Sequence, residues 1–408
     1  MTTTRQPQEQ AELTPAPSRW RLEAMDWIAI GLLLGGGIAV ATGLLPYGDA
    51  RATVSRILPL LVFLGSVIIL AELAARAELF DVIAVKVTAL GRGRNVALFL
   101  LCFAFAALNT IFLNLDTTAV LLTPVLLATA RRANTAALPL AVTTVWLANT
   151  ASLLLPVSNL TNLLAADRID LEPLDFAAKM ALPQLGALLS IGLCLWLFYW
   201  RKNPPRYDVP APHRPADPRL FRIAAVCVAG FIVCILTGVT IEIASIAGAV
   251  VLLAAFLLWR RADLSWSLLP WRLLVFVTGL FLVVDTISRH GLSTVMSALI
   301  GTDPGTEGVI RAASVGAGSA NLLNNLPSYV AGESVIPVAN HDQLIGLLIG
   351  TNVGPLIVPW ASLATMIWAE RCAANGLRIQ WRPFILASTV AAILTLVASV
   401  GGLLLTAH

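Results

Sequence analysis

Residues 107–125 read Ala-Leu-Asn-Thr-Ile-Phe-Leu-Asn-Leu-Asp-Thr-Thr-Ala-Val-Leu-Leu-Thr-Pro-Val, placing Asn114, Asp116, Thr117 and Thr118 in the middle of an apolar stretch. Asp116 is the only Asp, Glu, Lys, Arg or His between Asn95 and Arg131. A carboxylate surrounded by hydrocarbon is costly unless paired or wet, so its default meaning is an ion or proton pathway. A carboxylate held away from water also favours its protonated form, which suits a group that trades protons. Asp116 is therefore the expected proton-coupling residue. It also reads as a helix cap, accepting from the Thr118 and Ala119 amides, and the two roles are compatible.

A second cluster, Asn321-Leu-Leu-Asn-Asn-Leu-Pro-Ser328, sets Asn324, Asn325 and Ser328 around a proline. Two adjacent Asn beside a Pro make poor mid-membrane helix, and broken backbone at that depth lines a protein-enclosed cavity. Two further segments share one pattern. Asn149-Thr-Ala-Ser-Leu-Leu-Leu-Pro156 parallels Asn352-Val-Gly-Pro-Leu-Ile-Val-Pro359, with both Asn and both Pro offset by 203 residues. Ser158, Asn159 and Asn162 follow the first proline, and Ser362 and Thr365 follow the second. Pro156, Gly354, Pro355 and Pro359 interrupt i→i−4 bonding. Unwound segments of this kind offer amides and carbonyls to a solute near the midplane. Asn, Ser and Thr side chains both donate and accept hydrogen bonds. These tips carry no Arg or Lys, and none of the five cysteines.

The elements that must position these groups are membrane helices. Of 408 residues, 58% are hydrophobic and 12% charged, about half the charge of a soluble domain. No Asp, Glu, Lys or Arg occurs in 27–48, 95–115, 133–166, 180–200, 223–241, 243–259, 343–369 or 383–407. About 20 apolar residues span the hydrocarbon core, and lipid leaves the backbone no partner but its own helix. The expectation is an all-α integral membrane protein of about 11 transmembrane helices in two inverted repeats, each with a re-entrant hairpin and a discontinuous helix.

Charge sets the threading. The segment 201–222 is rich in Arg and Pro and reads as a cytoplasmic linker. Arg92 and Arg94, Arg131 and Arg132, Arg260, Arg261 and Arg272, and Arg371, Arg378 and Arg382 fall on the same side. The acidic segment 167–175 falls outside, as does the C-terminus. The sequence pI near 9.0 is thus a matter of topology, and nucleic acid is not an expected partner. The expected division is a cytoplasmic tail at 1–25, a first repeat at 26–200, the linker at 201–222, an unpaired span at 223–238 and a second, inverted repeat at 239–408. Glu72/Arg76 and Asp285/Arg289 recur at i,i+4 near span ends and read as structural ion pairs. No CxxC, Cys/His cluster, nucleophile motif or phosphate-binding loop appears, so neither cofactor nor metal is expected and an enzyme is disfavoured.

The run Asn114-Leu-Asp-Thr-Thr-Ala-Val-Leu-Leu-Thr-Pro124 resembles a signature of the ion transporter superfamily. With 149–162, Leu323-Asn-Asn-Leu-Pro327 and 350–368, the chain closely resembles the arsenite permease (ArsB) family. That resemblance implies a prokaryotic inner-membrane protein that exports arsenite or antimonite, driven by proton exchange or by a soluble arsenite-stimulated ATPase. It admits a homodimer. The alternative is a cation/proton antiporter or small organic anion carrier of the same superfamily. On this reading Asn114, Thr117, Thr118, Asn149, Ser158, Asn159, Asn162, Asn324, Asn325, Ser328, Asn352, Ser362 and Thr365 bind substrate.

Overall fold

The computed structural model describes residues 24–237 and 239–406; most of the 1–25 tail lies outside the described residues. The described chain is helical and contains no named strand. The first unit holds α1 (Ala24–Ala41), α2 (Tyr47–Arg76) and a short α3 (Leu79–Leu90). A hairpin follows: α4 (Asn95–Leu113) leads to a tip, and α5 (Leu115–Thr117), a π turn (Thr118–Leu122) and α6 (Thr123–Arg132) return from it. Next comes a broken span of α7 (Ala137–Thr150), 3-10 turns at Ala151–Leu153 and Pro156–Ser158, and α8 (Leu160–Arg168). Helix α9 (Pro173–Leu195) closes the unit.

After α10 (Pro218–Leu236) the same order returns. It runs α11 (Ile241–Trp259), α12 (Trp271–Ile287), α13 (Ser293–Ile300), and a hairpin of α14 (Thr306–Leu323) and α15 (Asn325–Glu333). Then come α16 (His341–Val353), 3-10 turns at Gly354–Leu356 and Pro359–Ala361, α17 (Leu363–Ala374) and α18 (Trp381–Thr406). Helix α10 starts within the stretch expected to be linker, because Pro218 suits a first helical turn and Asp217 accepts from the Arg219 and Leu220 amides.

Seven described helices are long and apolar enough to cross a bilayer, and shorter apolar helices cover 27–41 and 137–153. With the hairpin limbs and the α16–α17 pair, this is in keeping with the span count read from the charge-free runs. The units exchange their first helices: α1 packs along α12, and α11 along α2. Helices α9 and α18 pack against each other. Their approach is closest where Gly186 faces Ala398 and Gly402 faces Leu182. A Cβ at Gly186 would lie 2.6 Å from the Ala398 carbonyl oxygen, so only glycine permits this crossing.

The segment joining the units is tied down. Asn95 donates its amide to the Pro205 carbonyl at 3.0 Å, Tyr207 to Gly93 at 2.9 Å and Asp208 to Ala133 at 3.0 Å. His213 meets Glu78 at 2.8 Å.

Candidate functional site

Each hairpin turns on an asparagine. Asn114 has φ 93° and ψ 163°, and Asn324 has φ 106° and ψ 156°. Only glycine populates this region freely, and another residue there costs about 1–3 kcal/mol. Both side chains offset part of that cost by capping the returning helix. Asn114 Oδ1 accepts from the Thr117 amide at 2.9 Å, and Asn324 Oδ1 from the Leu326 amide at 3.4 Å. The cap of the first hairpin is therefore Asn114 and not Asp116.

The tips are also held by the unwound segment of their own half. Ser158 Oγ donates to the Ile111 carbonyl at 2.8 Å. In the second half Trp360 Nε1 donates to the Asn321 carbonyl at 2.9 Å, and Asn324 Nδ2 returns a bond to the Trp360 carbonyl at 3.0 Å. Thr118 is fully engaged: Oγ1 accepts from Asn109 at 2.9 Å and from Thr110 at 3.1 Å, and donates to the Asn114 carbonyl at 2.9 Å.

The unwound segments share one backbone path. Leu155 and Asn159 are extended (φ −119° and −155°), and Val358 and Ser362 match them (φ −114° and −140°). The two segments meet at Asn352. Its Oδ1 accepts from Asn159 Nδ2 at 3.0 Å and from Thr161 Oγ1 at 2.7 Å. Its Nδ2 donates to Asn162 Oδ1 at 2.7 Å. Asn162 Nδ2 then reaches the freed carbonyls of Ser152 at 2.6 Å and Leu155 at 3.0 Å. Asn149 Nδ2 donates to Thr365 Oγ1 at 3.2 Å, again joining the two halves. These asparagines satisfy broken backbone first.

The groups left without a hydrogen bond are fewer. Asp116 Oδ1, Thr117 Oγ1, Asn149 Oδ1, Ser328 Oγ and Ser362 Oγ are buried and unpartnered; Asn325 is buried beside Ser328 on α15. Asp116 and Thr117 line a cavity of about 450 Å³, whose walls also include Glu72, Arg272, Glu370 and Arg371. Thus the tips carry no basic residue, but the cavity walls bring two arginines from α12 and α17. The i,i+4 pairs form as expected, with Arg76 3.2 Å from Glu72 and Arg289 3.5 Å from Asp285.

Gln184, Thr161 and Glu333 were missed in the sequence. Gln184 braces the first break, accepting from the Leu153 amide at 3.0 Å and donating to the Thr150 carbonyl at 3.0 Å. Its signal was available: it is the lone amide side chain in the apolar run 180–200. Glu333 sits 2% exposed against Arg56 from a distant helix, and no local spacing announces that pair.

Comparison with known proteins agrees with this architecture. A citrate transporter family model matches residues 23–365. The arsenical pump membrane protein of Escherichia coli is 26% identical over 375 residues, covering 85% of this chain and 86% of its own. That of Yersinia enterocolitica is 27% identical over 388 residues, covering 87% and 89%. Among solved structures, the YdaH transporter of Alcanivorax borkumensis shares the fold, with a TM-score of 0.53 at 13% identity over 93% of this chain and 97% of that one. These matches bear out the resemblance to the ion transporter superfamily and its arsenite permease branch, and they place the chain in the bacterial inner membrane as a multi-pass protein. The chain belongs to the citrate transporter family of membrane transporters.

Proposed function

We propose that this protein exports arsenite and antimonite from the cytoplasm in exchange for protons, with Asp116 carrying the proton. The observation that supports it most is the meeting of Asp116 and Thr117 at one cavity, each with a buried oxygen free of any hydrogen bond. A carboxylate beside a bindable hydroxyl lets proton and solute compete for one place. Arsenous acid is a neutral trihydroxide at neutral pH, and the Thr117 hydroxyl in the cavity can both donate to it and accept from it, while the unpartnered Asn149 Oδ1, Ser328 Oγ and Ser362 Oγ lie outside the cavity walls. The cavity walls carry Arg272 and Arg371, which the charge pattern assigns to the cytoplasm, so on this reading the cavity faces inward. The arsenical pump names of the relatives add independent support.

The division into tail, two inverted repeats, linker and unpaired span belongs to the same proposal. A half-turn about an axis in the membrane plane relates 56–200 to 272–407, carrying Asn149 onto Asn352 and Pro156 onto Pro359. The deciding experiment is arsenite uptake into everted membrane vesicles, with and without a proton gradient acid inside. Uptake should be accelerated by the gradient and abolished by collapsing it. Gradient-independent uptake would remove the proton from the mechanism, and no uptake would remove arsenite.

A further inference from the structure

One buried carboxylate has no part in the proposed exchange. Glu333 ends α15, is 2% exposed, and its Oε1 lies 3.0 Å from Arg56 Nη2. Arg56 belongs to α2 of the first unit and Glu333 to the hairpin of the second. The pair therefore joins a helix of the exchanged α2/α11 layer to a hairpin that ends at the substrate region. Arg56 Nε also approaches Asp167 Oδ2 at 3.9 Å, at the end of α8. Beside it, Arg168 Nη2 donates to the Ile336 carbonyl just beyond α15, at 3.3 Å. Lys179 and Asp342 pair at 2.7 Å between the starts of α9 and α16.

These contacts gather at one end of the molecule. Arg56 and Glu72 lie sixteen residues apart on α2, roughly 24 Å of helix. Glu72 lines the cavity, so the Arg56 cluster closes the face opposite the cavity mouth, which is the face where the acidic segment 167–175 is expected outside. Of the other elements packed on α15, α12 directs Asp285 to Thr53 at 2.9 Å, and the turn after it directs Arg289 to Asp49 at 3.1 Å. Helix α16 pairs Asp342 with Lys179, its His341 is exposed, and α14 keeps Glu307 exposed and directs Arg311 to the Ala298 and Leu299 carbonyls. Helix α13 carries no titratable group. Glu333 thus faces Arg56 and Arg168 as its cations, with Asp167 61% exposed behind Arg56 and Tyr329 one turn back on its own helix.

The pair is buried on one side only, Glu333 being 2% exposed and Arg56 37%, so it is the attraction to Arg56 that keeps the charged Glu333 under cover. Neutralising Glu333, or removing both partners, abolishes that attraction, and Arg56 is left to the solvated Asp167 beside it. We propose that Glu333 is a proton-operated latch on the outer face: a proton from external water binds its carboxylate, Arg56 is released, and the α14–α15 hairpin leaves α2. The proton returns to external water when the face closes and Arg56 recaptures the carboxylate. Glu333 is a positioning residue, and its proton gates without crossing. This deepens the proton-exchange reading and rests on it for its purpose, though not for its test.

The test is labelling of Ser328→Cys by a membrane-impermeant maleimide added outside intact cells. Ser328 is fully buried and lies about 7 Å deeper than Glu333 along α15. Each rate is divided by that of the detergent-unfolded protein at the same pH, which removes the thiol's own pH dependence, and the protein without Ser328→Cys gives the background. Labelling should be slow at neutral and roughly tenfold or more faster at acidic external pH, as a minor open state becomes populated. Glu333→Gln should label fast at both, with a flat pH profile. Arg56→Gln/Glu333→Gln should do the same, and its removal of both charges together keeps the site neutral should the single variant fail to fold. A pH-independent rate in the parent, or a double variant as shielded as the parent at neutral pH, overturns the latch. Arsenite uptake is measured alongside in the protein without Ser328→Cys: its absence there overturns the exporter reading while the labelling result stands by itself.

Discussion

Asn352 and Asn162, from opposite halves of the chain, bond side chain to side chain at 2.7 Å. Each also reaches back into broken backbone or its neighbours, so the pair fastens the two unwound segments to each other. The buried polar network there is fully partnered through Asn159 and Thr161, which is the condition under which such networks rigidify a core.

Asn352→Ala removes the partner of three side chains at once. Hydrogen bonds between membrane helices average about 0.6 kcal/mol each, so a loss of roughly 2 kcal/mol is expected. A thermal melt in detergent should fall accordingly, and a double-mutant cycle with Asn162→Ala should show coupling. Strict additivity of the two substitutions would deny the link.

The two tips give a different expectation. Glycine relieves the left-handed backbone but removes the cap, whereas alanine removes the cap and keeps the strain. Asn114→Gly and Asn324→Gly should therefore stay within about 1 kcal/mol of the parent. The matching alanine variants should lose about 0.5–2 kcal/mol, the cap alone, because the parent already bears the strain. Alanine variants as stable as the glycine ones would show that the tips are not held in this conformation.

Thr117 and Thr118 are neighbours with opposite duties. Thr117 Oγ1 has no partner in the fold, and Thr118 Oγ1 has three. Thr117→Val should leave the melting temperature unchanged and raise the KM for arsenite by roughly tenfold, the equivalent of one hydrogen bond. Thr118→Val should lower stability first. Equal effects of the two on stability would place Thr117 in the scaffold.

Asp116→Asn should abolish proton-driven efflux while expression stays near normal, with exchange of arsenite down its own gradient less affected. Normal export against a gradient by this variant would move the coupling site elsewhere. Since Asn114 already provides the cap, loss of the Asp116 charge carries no capping penalty, which makes the experiment interpretable.

Much of this was legible from residues alone. Charge-free runs announce spans because lipid tolerates no stray charge, and the Asn/Pro recurrence announces the breaks because those residue types disrupt a helix wherever they stand. The cap was misjudged between Asn114 and Asp116, since both types cap and only the backbone angle at 114 decides. The Asn352 node was illegible for another reason: a side chain that serves a solute and one that seals a broken backbone have the same sequence signature. Arg272 and Arg371 read as loop charges, and it takes the packing of α12 and α17 to bring them to one cavity. Arg56 and Glu333 lie 277 residues apart, beyond any local pattern.

The tied segment at 205–208 changes what the join between the halves is. Its backbone bonds fasten it to the loops on both sides of the first hairpin, at Gly93 and Ala133. The first hairpin thus stands on a floor laid by the chain on its way to the second unit, while the ends of the second hairpin, α14 to α15, are held among the described residues by side chains, Asn340 on the Thr302 carbonyl and Arg168 on the Ile336 carbonyl. Twin folds built on one plan are in this way footed differently, and the half that carries Asp116 is the one fastened by backbone.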